Sequence, residues 1–359
     1  MNVHLKKVTY EVIDEQTTKA NIFNADSPFL SHEYFSILGE VPSHYGDFFV
    51  VYCDGRENGV IYIGHSSEGI GSLLFKQGFV NQTGTRRYDQ LWIEYNGLLG
   101  QPSNNGAIAE AVLRYAFEKG YVRFSVSMTI EADIWENAAT KLGASYSKSQ
   151  TVGYTKSLEG LATLEDVIST LSKNTRAKIR KSIKLLDASQ DDISLSEAKF
   201  TDEILDYFSC LRKNHIEKWQ NTIEGSGFQN TFFDNNLLRL LIQYPDYIKI
   251  LKVQCAEKVL GYSIYMLRNE CAYFYCSGIN SKLTLGKIKP GYILHCKAMS
   301  YFAKRGIKVY DFMGGESQYK RSLSDNTVVF KTVEITSPHF KGKIFSLIQK
   351  IKCFILPGN

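Results

Sequence analysis

The chain of 359 residues is long enough for two domains of ordinary size, each burying its own core. Apolar residues make up 44% and charged residues 22%, which excludes a disordered or collagen-like polymer and fits a globular protein. The net charge of +5 fits an anionic ligand but is too small to argue for nucleic acid by itself.

The first ten residues lack the apolar stretch of a signal peptide. No run reaches the roughly 20 apolar residues that span a bilayer, so a cytoplasmic protein is expected. The seven cysteines are scattered and read as reduced thiols, Cys271 and Cys276 being the nearest pair. The seven histidines show no zinc-ligand spacing, so no metal is expected.

Residues 48–53 and 59–64, around the turn-like Asp54-Gly55, read as a hairpin. Residues 91–95 read as a strand closed by Asn96-Gly97. A helix is predicted over 107–119, with Asn104-Asn105 to cap it and Gly120 to stop it. A strand over 121–128, a helix over 131–142 ending at Gly143 and a strand pair over 144–156 follow. Thr163-Leu-Glu-Asp166 resembles a capping box with Asp in place of Glu. Leu171, Thr175, Ile179, Ile183 and Leu186 then recur at helical spacing. The other faces carry Lys173, Arg176, Lys178, Arg180, Lys181 and Lys184, the densest basic patch in the chain.

The later half repeats this grammar. Residues 248–254 and 260–267 read as a hairpin, 272–277 as a strand, 292–304 as a helix stopped at Gly306, and 307–313 and 327–335 as strands. Tyr115-Ala-Phe-Glu-Lys-Gly120-Tyr-Val-Arg-Phe matches Tyr301-Phe-Ala-Lys-Arg-Gly306-Ile-Lys-Val-Tyr, which points to a fused pair of related lobes. The expected organisation is a first lobe over 1–156, a basic helical connector over 157–188, a second lobe over 189–338 and an amphipathic tail over 339–359. In the tail, Ile344, Leu347, Ile348, Ile351 and Ile355 form an apolar stripe flanked by Lys341, Lys343, Lys350 and Lys352. It is expected to dock on the second lobe, or else to lie on the inner membrane surface.

Three stretches carry a family resemblance: Leu171-Ser-Lys-Asn-Thr-Arg-Ala-Lys-Ile-Arg-Lys-Ser182, Lys289-Pro-Gly-Tyr-Ile-Leu294 and Tyr310-Asp-Phe-Met-Gly-Gly-Glu-Ser-Gln-Tyr-Lys320. Together they resemble GNAT-fold proteins of the CelD-like type, which are similar in turn to the Fem-type peptidyltransferases of cell-wall assembly. Trp92-Ile-Glu-Tyr-Asn-Gly-Leu-Leu99 resembles a first-lobe feature of exopolysaccharide-linked members. The resemblance implies an α/β (α+β) chain of two tandem GNAT-like lobes. Each would be a mixed, mostly antiparallel sheet flanked by helices, and the donor site would lie in the second.

It implies acyl transfer to nitrogen. The leading expectation is an acyl-CoA (acetyl-CoA) donor and a nucleotide-linked amino sugar acceptor in surface polysaccharide biosynthesis. The alternatives are aminoacyl transfer from tRNA to a glycan or peptide, and a glycan-binding scaffold without turnover. The family's Gln/Arg-x-x-Gly-x-Gly/Ala pyrophosphate loop is degenerate here, the second lobe offering Lys287-Ile-Lys-Pro-Gly-Tyr.

Amide formation needs a neutral amine, a stabilised oxyanion and a leaving group. Asp311, before Gly314-Gly315, is a candidate base or a loop cap. Glu316 is a second candidate base or a solvated acid. By resemblance, Tyr319 and Lys320 attend the acyl donor and its carbonyl, the plain alternative for Lys320 being an exposed turn lysine. Lys287, Lys289 and Gly291 open a helix whose free amides favour phosphate. Lys173, Asn174, Arg176 and Arg180 are placed near the acceptor by resemblance. His215 and Trp219, four apart, share a helix face as a sugar platform or a packed pair.

Overall fold

The computed structural model describes residues 1–13, 27–70, 73–100, 102–186, 188–284 and 287–355. Two units make it up: Met1–Thr151 with Val329–Asn359, and Val152–Val328.

In the first unit the expected hairpin joins β2 (Gly46–Cys53) and β3 (Arg56–Ile70). Asp54 (φ 49°) and Gly55 (φ 79°) supply the left-handed two-residue turn that matches strand twist. β1 (Val3–Val8) pairs antiparallel with β2, and β4 (Leu73–Val80) antiparallel with β3. The short β5 (Leu99–Gly100) also pairs with β3. α1 (His32–Gly39) starts at Ser31, whose hydroxyl accepts the Tyr34 amide. α2 (Asn105–Glu118) is followed by Gly120 at φ 80°, and β6 (Arg123–Thr129) then runs parallel to β4. α3 (Ala132–Lys141) is followed by Gly143 at φ 68°. Ile108, Val112, Leu113, Trp135 and Ala139 from the two helices pack with Phe49, Ile61 and Phe124 from the strands, all buried.

Residues 144–156 are not a strand pair; they fall in one long strand, β7 (Ser145–Ser157). Residues 91–95 are not a strand either. Their neighbourhood satisfies its backbone through side chains instead. Asn81 Nδ2 donates to Asn96 Oδ1 and Gly97 O, both at 3.0 Å, Asn96 Nδ2 to Val80 O at 3.0 Å, and Tyr34 OH to Leu91 O at 2.9 Å.

The second unit opens with α4 (Leu164–Ser169) and α5 (Lys173–Leu185). The capping box forms: Asp166 N donates to Thr163 Oγ1 at 3.1 Å, and Thr163 N to Asp166 Oδ2 at 2.7 Å. β8 (Ile193–Glu197), α6 (Thr201–Trp219) and α7 (Thr231–Gln243) lead into the antiparallel run β9 (Ile248–Cys255), β10 (Lys258–Arg268) and β11 (Cys271–Ile279). After the short α8 (Ser281–Thr284) come α9 (Pro290–Ala303), Gly306 at φ 81° and β12 (Val309–Gly314), parallel to β11. The helix–glycine–parallel strand unit thus occurs once in each unit, at the two stretches whose sequences match. α10 (Gln318–Leu323), β13 (Asn326–Thr336) and α11 (Phe340–Ile355) complete the chain.

The chain passes between units inside two strands. The later half of β7 pairs antiparallel with β12, Thr155 opposite Asp311 and Ser157 opposite Val309. β13 pairs antiparallel with β6, Val333 opposite Val126 and Thr336 opposite Arg123. The first unit therefore takes its last strand from beyond the second unit, whereas the second unit, Val152–Val328, is contiguous. The units do not follow boundaries at 156, 188 and 338: α4 and α5 pack inside the second unit, and residues 329–338 belong to the first. α11 corrects the expected docking on the second lobe. Its Phe345 meets Phe75 (ring centroids 5.2 Å) and Val122 in the first unit, with Ile344 and Ile348 beside them.

Candidate functional site

β11 and β12 share three register pairs: Cys271 with Val309, Ala272 with Tyr310, and Tyr273 with Asp311. Both strands then continue, β11 to Ile279 and β12 to Gly314, without further pairing between their described residues. Side chains take up the backbone of β12 where this ladder ends. Asp311 Oδ1 accepts the Met313 amide at 2.6 Å, and Lys320 Nζ donates to the carbonyls of Met313 and Gly314. Met313 sits at φ 64° and Gly315 at φ 94°, which turns the chain out of the strand.

Near the other flank of this divergence, a Cβ on Gly278 would fall 2.3 Å from Leu211 O and 2.7 Å from Leu211 Cα, so α6 lies directly on β11. Gly278→Ala is expected to destabilise the fold by about 1–3 kcal/mol through this overlap. A lowered urea midpoint with unchanged slope would register it.

The first turn of α9 lies beside the end of β11, a Cβ on Gly291 meeting Ile279 Cδ1 at 3.9 Å. One turn further in, His295 is buried, and its ring stacks on Tyr319 with centroids 5.1 Å apart at 13°. Phe274 and Phe312 enclose the ring at 4.6 and 5.2 Å. His295 Nδ1 is 2.7 Å from Tyr310 OH, which is 3.0 Å from Tyr265 OH. The chain closes when Tyr265 donates to Tyr310 and Tyr310 to Nδ1, leaving the proton of the neutral ring on Nε2. Burial pushes the His295 pKa down to about 3, with the Lys320 and Lys218 charges adding to the effect. Burial raises the Tyr319 phenol to about 12 against a weaker opposing hydrogen bond with Ser317.

Tyr319, Lys320 and the start of α9 are thus gathered on one side of β12, with His295 as the residue that sequence reasoning missed. Its signal was a lone histidine in the apolar run Ile293-Leu-His-Cys, four residues after Gly291. Asp311 is buried and one of its oxygens holds the Met313 amide, so it is placed as a cap of the strand end. Glu316 is exposed and pairs with Arg321 at 3.0 Å.

Lys287 and Lys289 are exposed at the approach to α9. The Lys289 amide donates to Ser182 Oγ of α5 at 3.0 Å, which ties the basic helix to this helix start. Of the α5 residues singled out, Lys173 and Asn174 are exposed. Arg176 instead donates to the carbonyls of Ser169 and Leu171 at 2.9 and 2.8 Å, and Arg180 pairs with Glu165. These two guanidiniums hold α4 to α5. His215 and Trp219 are neighbours, ring centroids 6.0 Å apart, and His215 Nδ1 bonds Ser226 Oγ at 2.9 Å. Burial lowers His215 to about 4, with the Lys218 charge adding.

The first unit has the same construction with a different outcome. Met128 takes φ 49° near the end of β6, as Met313 takes φ 64° near the end of β12, and Glu131 follows Met128 by three residues as Glu316 follows Met313. Glu131 folds back to the start of α2, where its Oε1 accepts from Asn105 Nδ2 at 3.1 Å. A Cβ on Gly97 would meet its Oε2 at 2.9 Å. Burial raises the Glu131 pKa against the opposing Asn105 bond. The partial positive charge of the α2 N-terminus is thus met by the protein's own carboxylate. Neither α2 nor α9 has an acidic residue in its own first turn, and the α9 start is flanked by Lys287 and Lys289.

A family model described as an acetyltransferase (GNAT) domain matches residues 173–321. Among curated proteins, none matches by sequence. The crystal structure of FemX superimposes with a TM-score of 0.56 at 10% identity, over 91% of this chain and 96% of FemX. The C-terminal domain of a putative lysylphosphatidylglycerol synthetase from Agrobacterium fabrum gives 0.56 at 11% identity, over 96% and 97%. A tandem GNAT protein from the clavulanic acid biosynthesis pathway gives 0.50 at 10% identity, over 94% and 99%.

Proposed function

This chain has the Fem-type tandem GNAT fold, and we propose that it is an N-acyltransferase that takes its acyl group from acyl-CoA in the second unit and passes it to the amine of a nucleotide-linked amino sugar. The contrast between the two helix starts carries this reading. The α2 start holds Glu131, which reaches it from the N-cap of α3, whereas Lys287, Lys289 and α5 flank the α9 start; neither helix has an acid in its own first turn. A diphosphate is favoured at the second and repelled at the first.

The thioester carbonyl then reaches the divergence of β11 and β12, where Tyr319 and Lys320 stand. As the amine attacks, the carbonyl oxygen gains charge that the Tyr319 hydroxyl meets with a hydrogen bond. At a pKa of about 12 the phenol keeps its proton through the neutral range, so it acts as a hydrogen-bond donor to the oxyanion and not as the acid for the departing thiolate. Lys320, already holding Met313 and Gly314, fixes the strand end against which the carbonyl lies. The exposed cations of α5 suit the phosphates of the acceptor nucleotide. The same cations favour a second reading, aminoacyl transfer from tRNA.

Titration with acetyl-CoA is expected to give one site per chain. Paired Lys287→Glu and Lys289→Glu substitutions should weaken it about tenfold or more. Glu131→Lys should leave that site unchanged. Thiol release dependent on an amino-sugar nucleotide completes the test. Two equal sites would end the assignment to the second unit, and turnover with aminoacyl-tRNA but not acyl-CoA would select the second reading.

A further inference from the structure

Half of the apolar stripe on α11 is used for docking and half is bare. Phe345, Ile344 and Ile348 pack on Phe75 and Val122. Phe340, Leu347 and Ile351 lie together on another side of the helix and are 76%, 60% and 48% exposed. Lys343, one turn before Leu347, is exposed beside them. Strands β3 and β4 stand next to the helix, because Gln349 Nε2 donates to Glu68 Oε1 at 3.2 Å and Phe75 meets Phe345. The start of β4 adds Leu73 and Leu74, 48% and 71% exposed.

Charge identifies what covers this surface. The α11 segment 340–355 holds Lys341, Lys343, Lys350 and Lys352 and no Asp or Glu. The helix is thus cationic along its whole length, with no acid to offset its lysines. Bare apolar side chains beside the exposed Lys341 and Lys343 match a lipid interface, where the former enter the acyl boundary and the latter meet anionic headgroups. An acidic protein or nucleic acid would use the lysines and leave Phe340, Leu347 and Ile351 in water. Among the described residues no helix is long and apolar enough to cross a membrane, so the contact is in the plane of the surface. We propose that α11 and Leu73 and Leu74 of β4 form a peripheral docking face for an anionic membrane. Such a face would hold the enzyme where lipid-borne or membrane-assembled acceptors are made. The proposal stands on the first unit and is independent of the acyl donor.

Flotation of the full-length chain with vesicles tests it. The protein should partition onto phosphatidylcholine mixed equally with phosphatidylglycerol and not onto phosphatidylcholine alone. Salt should weaken the binding. The double variant Leu347→Glu, Ile351→Glu should lower partitioning about tenfold or more. Replacing Lys341, Lys343, Lys350 and Lys352 by Gln should do the same and remove the salt dependence. Unchanged thermal midpoints verify that the exposed positions were altered without unfolding. No binding to the anionic vesicles overturns the proposal. So does binding that ignores the α11 variants. Equal capture by poly-glutamate, insensitive to Leu347→Glu and Ile351→Glu, would replace the lipid with an acidic macromolecule.

Discussion

Tyr319→Phe is expected to lower kcat by about 10²–10³-fold while moving KM for acyl-CoA by less than about twofold. The substitution keeps the ring, and with it the stacking on His295 and the contact with Phe312 at 6.1 Å. Only the hydroxyl is lost, and its hydrogen bond matters most when the carbonyl oxygen becomes an anion. An interaction made in the transition state alone appears in kcat and not in substrate affinity. Steady-state kinetics with acetyl-CoA and the amino-sugar nucleotide give the split. Tyr319→Ala is the structural control, since it also removes the aromatic cover of His295 and should lower stability as well as rate. An unchanged kcat in Tyr319→Phe would remove the phenol from the chemistry and leave it as packing.

Acidification should destabilise the fold through His295, by about 2 kcal/mol between pH 7.5 and pH 5. The sign follows from proton counting. The unfolded imidazole titrates near the ordinary value of 6.5, whereas the buried one is held to about 3. Between those values the unfolded chain binds the extra proton, so stability is fully present above about pH 6.5 and drains away as pH falls towards 3. His215, lowered to about 4 but only half-buried, contributes in the same direction with more solvent screening. Urea denaturation at a series of pH values measures the slope. His295→Gln should be less stable at neutral pH, because Tyr310 loses its partner at Nδ1, yet its midpoint should fall less between pH 7.5 and 5. Parallel pH dependence in the variant and the parent would assign the acid lability elsewhere.

Much of the fold was legible because local signals agreed with it. Thr163 and Asp166 form the capping box that their spacing implies, and Gly120 and Gly306 both take the left-handed conformation that ends a helix. The matching stretches around those glycines led to the two related units. The segment 91–95 misled for a definite reason. Leu91 and Ile93 are buried like strand residues, but the Leu91 carbonyl accepts from the Tyr34 hydroxyl and Asn81 and Asn96 tie the following turn to β4 through side-chain hydrogen bonds that no periodicity reports.

At the site, Tyr319 and Lys320 were singled out from the family resemblance; in the structure Tyr319 stacks on His295 of α9 and Lys320 holds the Met313 and Gly314 carbonyls. His295 was not, because a histidine in an apolar helical run carries no mark of what it will stack on. Arg176 and Arg180 read as ligand groups from the family resemblance and their charge. Their partners, the Ser169 and Leu171 carbonyls and Glu165, lie on the preceding helix and the turn after it, and only these contacts show the guanidiniums already engaged.

The crossing of β7 and β13 has a consequence for how this protein can be taken apart. A gene cut after Thr151, where the second unit begins, would yield a first product lacking the strand that flanks β6. That product would expose an unsatisfied ladder edge, the kind of surface that aggregates or seeks a substitute strand. The dependence runs one way: the second unit is encoded in one piece, whereas the first cannot be exchanged, inherited or expressed by itself without the stretch encoded after its sibling.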